Sequence, residues 1–350
     1  MARHAKVVPI DPKDWEPEYH FVRPEKLDEE VASVVGQTDM RRKLVSAFSQ
    51  YTLYLDDESA QRPIVLIYGP SGSGKTYAVE KLGRACGLPF TAVSSASISP
   101  PSYKGLTLRD LLIQHWETHG TDEGVIFMDE VDKWCRGSIM AQGGDSPDTE
   151  TLSNGLRTQA EVLRYVEMEQ IRFIDDSKDL EELEGVVFDT KKIFWIFAGA
   201  FVGLEKVIKT RLHNEHFPEE DIWMHAQPVD FQKYGLLAEL ANRVGTWAWV
   251  KALTRMQIKD ILEQQEVPRW VTRFKALGCE LEIQPGALGM CANFAFEAKQ
   301  GARGGVAIMR RAMDDIYYEA SKHKMTKVSV DANTIRSGRL ELEDVGSVSA

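Results

Sequence analysis

The chain has 350 residues and a formal net charge of −11, from 42 Lys and Arg against 53 Asp and Glu. This length allows two domains, and a hydrophobic content of 43% supports a sizeable core. The acidic balance argues against bulk binding to nucleic acid or to an anionic membrane, although it leaves room for a local basic patch. The N-terminal residues lack an apolar signal segment, and no run approaches the length of a membrane span, so we expect a soluble, cytoplasmic protein.

Strand and helix patterns alternate through the first two thirds of the chain. Residues 1–24 contain several prolines among mixed charges and predict an extended arm. Apolar stretches predict strands at 63–68, 90–93, 124–128 and 192–197, and helical patterns such as 76–85 and 108–118 separate them. This alternation predicts an α/β fold with a parallel sheet that is covered by helices on both faces.

After about Trp249 the pattern becomes mainly helical. Residues 254–277 and 285–320 have helical periodicity, and short strands are predicted at 279–283 and 327–330. We therefore predict four segments. They are an extended arm at 1–24, a large α/β domain at 25–250, a smaller helical domain at 251–339 and a disordered tail at 340–350.

Residues 69–76 have the pattern G-x-x-x-x-G-K-[ST], directly after an apolar strand and directly before a helical segment. Glycines let successive backbone N–H groups point at a phosphate, and the following helix adds its positive N-terminal end. Lys75 is predicted to reach the β- and γ-phosphates, and Thr76 to place its hydroxyl on Mg²⁺. The pattern predicts binding of ATP or ADP by Gly69, Pro70, Ser71, Gly72, Ser73, Gly74, Lys75, Thr76 and Tyr77.

A second apolar strand ends in two carboxylates, Asp129 and Glu130. A buried strand of this kind would deliver Asp129 next to the metal ion, while Glu130 would polarise a water for in-line attack on the γ-phosphate. Two solvated acids at a strand end are common when they stand alone, but here they follow a phosphate loop. Since kinases and small GTPases place their nucleophile with other residues, the pair favours hydrolysis of ATP to ADP and phosphate.

The stretch Asp129-Glu130-Val131-Asp132-Lys133 resembles the Walker B segment of the AAA+ superfamily, in particular the Clp/Hsp100 unfoldase branch that contains ClpX and HslU. Further stretches match this branch in the same order and extend the resemblance over about residues 24–340. Residues 34–37 are similar to the segment that lies against the adenine, and residues 199–204 are similar to the stretch after the fourth strand. Residues 234–243 are similar to the segment that carries the arginine finger, and residues 301–304 are similar to the sensor-2 motif.

The resemblance implies a homo-hexameric ring with ATP bound between subunits, and Val35 and Gly36 against the adenine. It implies that Arg243 reaches the γ-phosphate of a neighbouring subunit and that Arg303 contacts phosphate from the small domain. Read without the family, each arginine is more often a surface ion-pair partner. The resemblance also implies a protein client, and it is compatible with a separate peptidase, nuclease or adaptor.

The segment Ser102-Tyr103-Lys104-Gly105 occupies the place of the aromatic pore loop in this branch. Tyr103 would then grip an extended polypeptide by apolar contact, with Gly105 as a hinge, whereas an ordinary turn is the alternative. Lys104 departs from the small apolar residue usual in the family. The acidic stretch 175–184 lies where a second pore-facing loop would be, and a solvated loop is the other interpretation.

Three features depart from the branch. No cysteine-rich zinc module precedes residue 24, the segment after Val207 contains no Ile-Gly-Phe-type loop for docking a peptidase, and the fourth strand ends without a polar sensor-1 residue. We predict an ATP-hydrolysing ring that unfolds, translocates or remodels protein clients through a central pore. The alternatives are a DNA-associated AAA+ motor or regulator of the helicase or transposition type, and a nucleotide switch that scaffolds a partner effector.

Overall fold

A computed structural model describes residues 21–57, 59–99, 105–135, 149–167, 170–172, 187–213, 218 and 221–337. The chain divides into two compact units, one formed by Met1–Pro70 with Lys75–Val250 and the other by Ser71–Gly74 with Lys251–Ala350. The division of the sequence into four segments stays a prediction, and most of the predicted arm and the whole predicted tail lie outside the described residues. None of the described helices has the length and apolar character needed to cross a bilayer.

The first unit is built around a sheet of five strands in the order β2–β3–β6–β1–β7, and every neighbouring pair is parallel. The strands of this unit are β1 (Val65–Tyr68), β2 (Phe90–Ser94), β3 (Gly124–Asp129), β4 (Ile171–Arg172), β5 (Val187–Phe188), β6 (Ile193–Gly199) and β7 (Thr246–Trp249). The short strands β4 and β5 form a separate antiparallel pair. The observed sheet confirms the predicted α/β fold, including all four strands expected from the apolar stretches.

Helices connect these strands and cover the sheet. They are α1 (Pro24–Glu30), α2 (Thr38–Asp56), α3 (Lys75–Ala85), α4 (Leu108–His119), α5 (Thr149–Glu167), α6 (Leu204–Arg211), α7 (Pro228–Tyr234) and α8 (Ala238–Arg243). Short 3₁₀ helices occupy Ser95–Ser97, Val131–Cys135, Thr190–Lys192 and Ile222–His225.

The sheet is buried on both faces, which explains its continuous apolar strands. On β3, Val125 and Phe127 pack into the cluster formed with α1, α2 and α3, while Ile126 and Met128 pack into the opposite cluster. Successive side chains of a strand point to opposite faces, so a strand buried on both faces needs apolar residues at every position. The carboxyl ends of the strands therefore project the polar residues that follow them along one edge of the sheet.

The second unit is mainly helical and has its own hydrophobic core. Its elements are α9 (Arg255–Ile261), a π-helical segment (Leu262–Glu266), α10 (Val267–Ala276), β8 (Glu280–Ile283), α11 (Pro285–Glu297), α12 (Gly301–Lys322), β9 (Lys327–Val330) and α13 (Ala332–Ser337). The strands β8 and β9 pair in parallel. These elements agree with the helical periodicity and the two short strands predicted after Trp249.

A buried histidine on α4 joins this helix to the edge strand β2. Thr91 Oγ1 donates to His115 Nδ1 at 2.7 Å, and His115 Nε2 donates to the backbone oxygen of Glu123 at 2.9 Å. This tautomer follows because a carbonyl oxygen only accepts. Burial lowers the pKa of His115 to about 4, the bond to Glu123 acts in the opposite direction, and the neighbouring His119 lowers the pKa further.

Acid is expected to destabilise the fold through His115. Its pKa is lowered from 6.5 to about 4 in the folded state, so only the unfolded chain takes up the proton between these values. The stabilising contribution is complete above pH 6.5 and falls by about 3 kcal/mol as the pH drops through this window. Urea unfolding at several pH values should show a weaker acid loss for His115→Gln than for the wild type, whereas the exposed His323→Gln should match the wild type. Equal acid losses in all three proteins would contradict this assignment.

Candidate active site

The predicted phosphate loop connects β1 to α3, which is the strand–loop–helix context that the motif requires. Gly69, Gly72 and Gly74 have φ values of 125°, 71° and 93°, in the region that favours glycine. A Cβ atom on Gly69 would lie 2.4 Å from the backbone oxygen of Val250. The glycine pattern of the sequence therefore corresponds to backbone conformations and close approaches that other residues would not accommodate.

The tip of the loop, Ser71–Gly74, is grouped with the second unit. The backbone N–H of Ala302 donates to the carbonyl oxygen of Gly72 at 3.0 Å, and a Cβ atom on Gly72 would lie 2.4 Å from the backbone oxygen of Gln300. Arg303 follows Ala302 in the chain and is exposed on the first turn of α12. The loop tip thus contacts the turn that carries Arg303.

Two side chains at the start of α3 contact the phosphate loop and the end of β3. Lys75 is buried, and its Nζ donates to the backbone oxygens of Gly69 and Pro70 at 2.9 Å each. Thr76 Oγ1 donates to Asp129 Oδ2, at the end of β3, at 3.3 Å. A hydroxyl and a carboxylate are oxygen ligands of the kind that Mg²⁺ prefers, so this pair fits the predicted ion.

Glu130 follows β3 in a constrained turn. Its φ of 63° is unusual for a residue other than glycine, and its N–H donates to Asp129 Oδ1 at 2.8 Å. Ser95 Oγ donates to its backbone oxygen at 2.6 Å. Its carboxylate oxygen Oε2 accepts from Ser94 Oγ at 2.8 Å and from Lys133 Nζ at 2.5 Å. The carboxylate is therefore held by Ser94, the last residue of β2, and by Lys133 in the 3₁₀ helix Val131–Cys135, which follows Glu130.

Ser94 and Lys133 are contacts that the sequence motifs did not predict as part of the site. The sequence did contain a signal for each contact. Ser94 lies at the end of a strand, and neighbouring parallel strands end at the same edge of the sheet, where Asp129 and Glu130 lie. Lys133 belongs to the Walker B stretch itself. Both contacts occupy the carboxylate that is predicted to act on water.

The end of β6 has a backbone contact in place of a polar sensor-1 side chain. Asp132 is buried, and its Oδ1 accepts from the backbone N–H of Ala200 at 3.1 Å. A Cβ atom on Gly199 would lie 2.9 Å from this oxygen and 2.6 Å from the ring of Phe201. The absence of a side chain at Gly199 therefore allows the 3₁₀ helix after Glu130 to approach β6.

The segment predicted to lie against the adenine precedes α2. Val35 is half-buried, and Gly36 has a φ of 74°. Nearby, Ser33 Oγ and the hydroxyl oxygen of Tyr77 are 3.3 Å apart, so this segment lies beside α3. The contact places Val35 and Gly36 in the neighbourhood of the phosphate loop, and their role in adenine binding stays a prediction.

Arg243 is more than half exposed at the end of α8. Its Nε donates to Glu167 Oε1, at the end of α5, at 2.7 Å. Within the described part of the chain, this carboxylate is its ion-pair partner, so the structure does not place Arg243 on the phosphate loop. A contact with a neighbouring subunit's nucleotide stays a prediction.

Of the predicted pore loop, Tyr103 and Lys104 lie outside the described residues, as does the acidic stretch 175–184. The described ends of the loop meet, since the Ser99 N–H donates to the Leu106 backbone oxygen at 2.8 Å. Gly105 has a φ of 155°, and a Cβ atom on it would lie 2.1 Å from Ser99 Oγ. Gly105 therefore allows the base of this loop to close.

Residues 65–198 match the protein family described as "ATPase family associated with various cellular activities (AAA)". The matched range starts at β1, ends in β6 and includes both the phosphate loop and the acid pair. Together with the parallel sheet, this match supports a class of protein for residues 65–198: an AAA ATPase domain, with the nucleotide binding and ATP hydrolysis that this class performs.

Comparison with curated proteins shows which kind of AAA ATPase the chain resembles. The protein "ATP-dependent Clp protease ATP-binding subunit ClpX" of Bacteroides fragilis is 25% identical over 85% of this chain and 77% of its own length. The proteins of the same name from Porphyromonas gingivalis and Azotobacter vinelandii are 24% and 27% identical, over 92% and 83% of this chain and 84% and 72% of their own lengths. The chain is thus similar to ClpX-type ATPases along most of its length, which supports the resemblance found in the sequence.

Proposed function

We propose that the chain is an ATP-driven ring that unfolds, translocates or remodels protein clients. The observation that carries the proposal is the similarity to ATP-binding subunits of Clp protease along 83% to 92% of this chain. The relatives' name also supports a partnership with a protease, although the missing Ile-Gly-Phe-type loop favours a different peptidase, a nuclease or an adaptor. We place the ring, a homo-hexamer, in the cytoplasm.

In the proposed reaction, the loop Gly69–Thr76 binds the phosphates through its backbone N–H groups, and Lys75 neutralises charge on the β- and γ-phosphates. Thr76 and Asp129 would hold Mg²⁺, which supplies further charge neutralisation when bound. Glu130 accepts a proton from water as the water oxygen attacks the γ-phosphorus. The bond from this phosphorus to the β–γ bridging oxygen breaks, and ADP and phosphate are released.

Glu130 has to exchange its present contacts for a water before it acts as a base. Ser94 and Lys133 both donate to its carboxylate, and Lys133 also pairs with its charge. A carboxylate in an ion pair is a weaker base than a carboxylate that faces water alone. The proposed ATPase is therefore slow while these contacts persist, and an incoming nucleotide would displace them.

The proposed arginines would connect hydrolysis to motion. Arg243 would stabilise charge on the γ-phosphate bound to the next subunit, and Arg303 would report the nucleotide state to the helical unit. Tyr103 would then transmit this motion to the client as an aromatic contact that does not depend on client sequence. The exposed positions of Arg243 and Arg303 support these roles, since both side chains are accessible to a ligand.

The substitution Tyr103→Ala tests the client role. Unfolding of a tagged fluorescent protein is expected to fall at least about tenfold, because the apolar contact is lost, while basal ATP turnover stays within about twofold of the wild type. The matched control is Tyr318→Ala, which removes an aromatic ring that is 65% exposed on α12. Loss of unfolding and ATP turnover together would instead indicate that residue 103 has a structural role.

Stimulation of ATP turnover separates the candidate functions. The proposed function requires that unfolded protein or peptides accelerate turnover and that duplex or single-stranded DNA does not. Acceleration by DNA alone would favour the DNA-associated motor. If neither protein nor DNA accelerates ATP turnover and the chain forms a stable complex with nucleotide, the result would favour the nucleotide switch that scaffolds a partner effector.

A further inference from the structure

A buried glutamine on α5 bonds to two segments that flank the proposed catalytic groups. Gln159 is fully buried. Its Nε2 donates to the backbone oxygen of Gly235 at 3.1 Å and, at a longer 3.4 Å, to that of Trp134. Its Oε1 accepts from the backbone N–H of Leu237 at 2.7 Å. The amide therefore satisfies three backbone groups from two parts of the chain that are about a hundred residues apart.

One of these parts is the 3₁₀ helix Val131–Cys135, which follows Glu130 directly. Trp134 is connected to Glu130 a second time, because its Nε1 donates to the backbone oxygen of Ser95 and Ser95 Oγ donates to the backbone oxygen of Glu130. A displacement of this 3₁₀ helix would therefore change the turn that presents the catalytic carboxylate.

The other part is the beginning of α8. Leu237 is the N-cap residue of α8, and Arg243 is the last residue of this six-residue helix. The helix α5 also contacts the far end of α8, through the ion pair of Glu167 with Arg243. Gln159 and Glu167 thus contact both ends of the helix that carries the arginine.

The packing of α5 leaves little freedom at this junction. Gly155 lies one turn before Gln159, on the same face of α5. A Cβ atom on Gly155 would lie 2.2 Å from the backbone oxygen of Trp134. Since α5 touches the 3₁₀ helix without an intervening side chain, a shift of one element is transmitted to the other.

We propose that Gln159 is a positioning residue that couples the acid pair of one ATP site to the arginine that serves the next site in the ring. The coupling runs from Glu130 through the 3₁₀ helix to Gln159, and from Gln159 to the start of α8 and Arg243. The inference rests on the proposed function, because it assumes that Arg243 acts on a neighbouring subunit.

The test combines Gln159→Met with Arg243→Ala in a double-mutant cycle. Gln159→Met keeps an unbranched side chain and removes all three hydrogen bonds. Alone, it is expected to lower kcat for ATP hydrolysis about tenfold and to reduce the Hill coefficient for ATP towards one, with ATP affinity unchanged. If Gln159 acts through Arg243, adding Gln159→Met to Arg243→Ala costs no further activity.

The matched control is Thr158→Val, a neighbouring buried position whose hydroxyl, as far as the described residues show, bonds within α5, to the backbone oxygen of Asn154 at 3.0 Å. It should lower the melting temperature without changing the Hill coefficient. Gln159→Glu is the second variant if Gln159→Met does not fold, because its carboxyl, which is protonated when buried beside two carbonyl oxygens, keeps the acceptor for Leu237 and one of the two donors. It should lower the Hill coefficient to an intermediate value.

The outcomes separate the inference from the proposed function. Normal hydrolysis by Arg243→Ala would overturn the role of the arginine, and the coupling with it. A strong but measurable loss in Arg243→Ala, together with a multiplicative effect of Gln159→Met or an unchanged Hill coefficient in the Gln159 variants, would overturn the coupling alone.

Discussion

Replacing Glu130 with glutamine is expected to lower kcat for ATP hydrolysis by about 10²- to 10⁴-fold, which is the usual contribution of a positioned general base. Glutamine has nearly the same shape, and its side-chain oxygen can still accept from Ser94, as Glu130 Oε2 does at 2.8 Å. It cannot take a proton from the attacking water. The phosphate loop and the Thr76–Asp129 pair are unchanged, so ATP affinity should stay within a few-fold of the wild type.

Steady-state turnover and equilibrium binding of a fluorescent ATP analogue check this expectation together. The matched control is Glu117→Gln, which makes the same change at an exposed position on α4 and should behave as the wild type. Hydrolysis by Glu130→Gln at the wild-type rate would remove Glu130 from the mechanism. Since the variant is expected to hold ATP without turnover, proteins that co-purify with it would also identify the client.

The elements predicted from sequence are those specified by local chemistry. Each apolar stretch such as 124–128 became a strand because burial on both faces needs an unbroken apolar run, and the phosphate-loop glycines have the positive φ values that their positions require. The pair Asp129 and Glu130 was also predicted from local sequence, because it directly follows an apolar strand in a chain that contains a phosphate loop; the roles of the two acids stay predictions.

The parts that the sequence did not specify depend on long-range contacts. The contact of Ser94 with Glu130 joins residues 36 positions apart, and the contact of Gln159 with Leu237 joins residues 78 positions apart. Taken by itself, the sequence around Ser94 or Gln159 contains no pattern that predicts its partner. The short pair β4 and β5 also escaped prediction, since two-residue strands have no periodicity. Tertiary packing decides these features, so a single sequence contains little signal for them.

Arg243→Ala is the second substitution expected to have a large effect, a fall in kcat of about 10²- to 10³-fold, because an arginine that stabilises γ-phosphate charge acts only in the transition state. Its ion pair with Glu167 is exposed and contributes little to stability, so the variant should fold normally. The control Arg255→Ala removes another exposed arginine, which pairs with Glu297 and stacks on Phe296, and should leave turnover unchanged.

Mixing two inactive variants tests whether the arginine acts between subunits. In the proposed ring, a site formed by the acid pair of an Arg243→Ala subunit and the arginine of a Glu130→Gln subunit would be complete. If the subunits mix at random in equal amounts, about a quarter of the interfaces are complete, so substantial turnover should return when two inactive proteins are combined. An arginine that acts within its own subunit gives no such recovery, because every chain then lacks one group of its own site. Recovery would therefore show that the phosphate loop and Arg243 of different chains form one active site, and its absence after confirmed subunit exchange would confine Arg243 to its own chain.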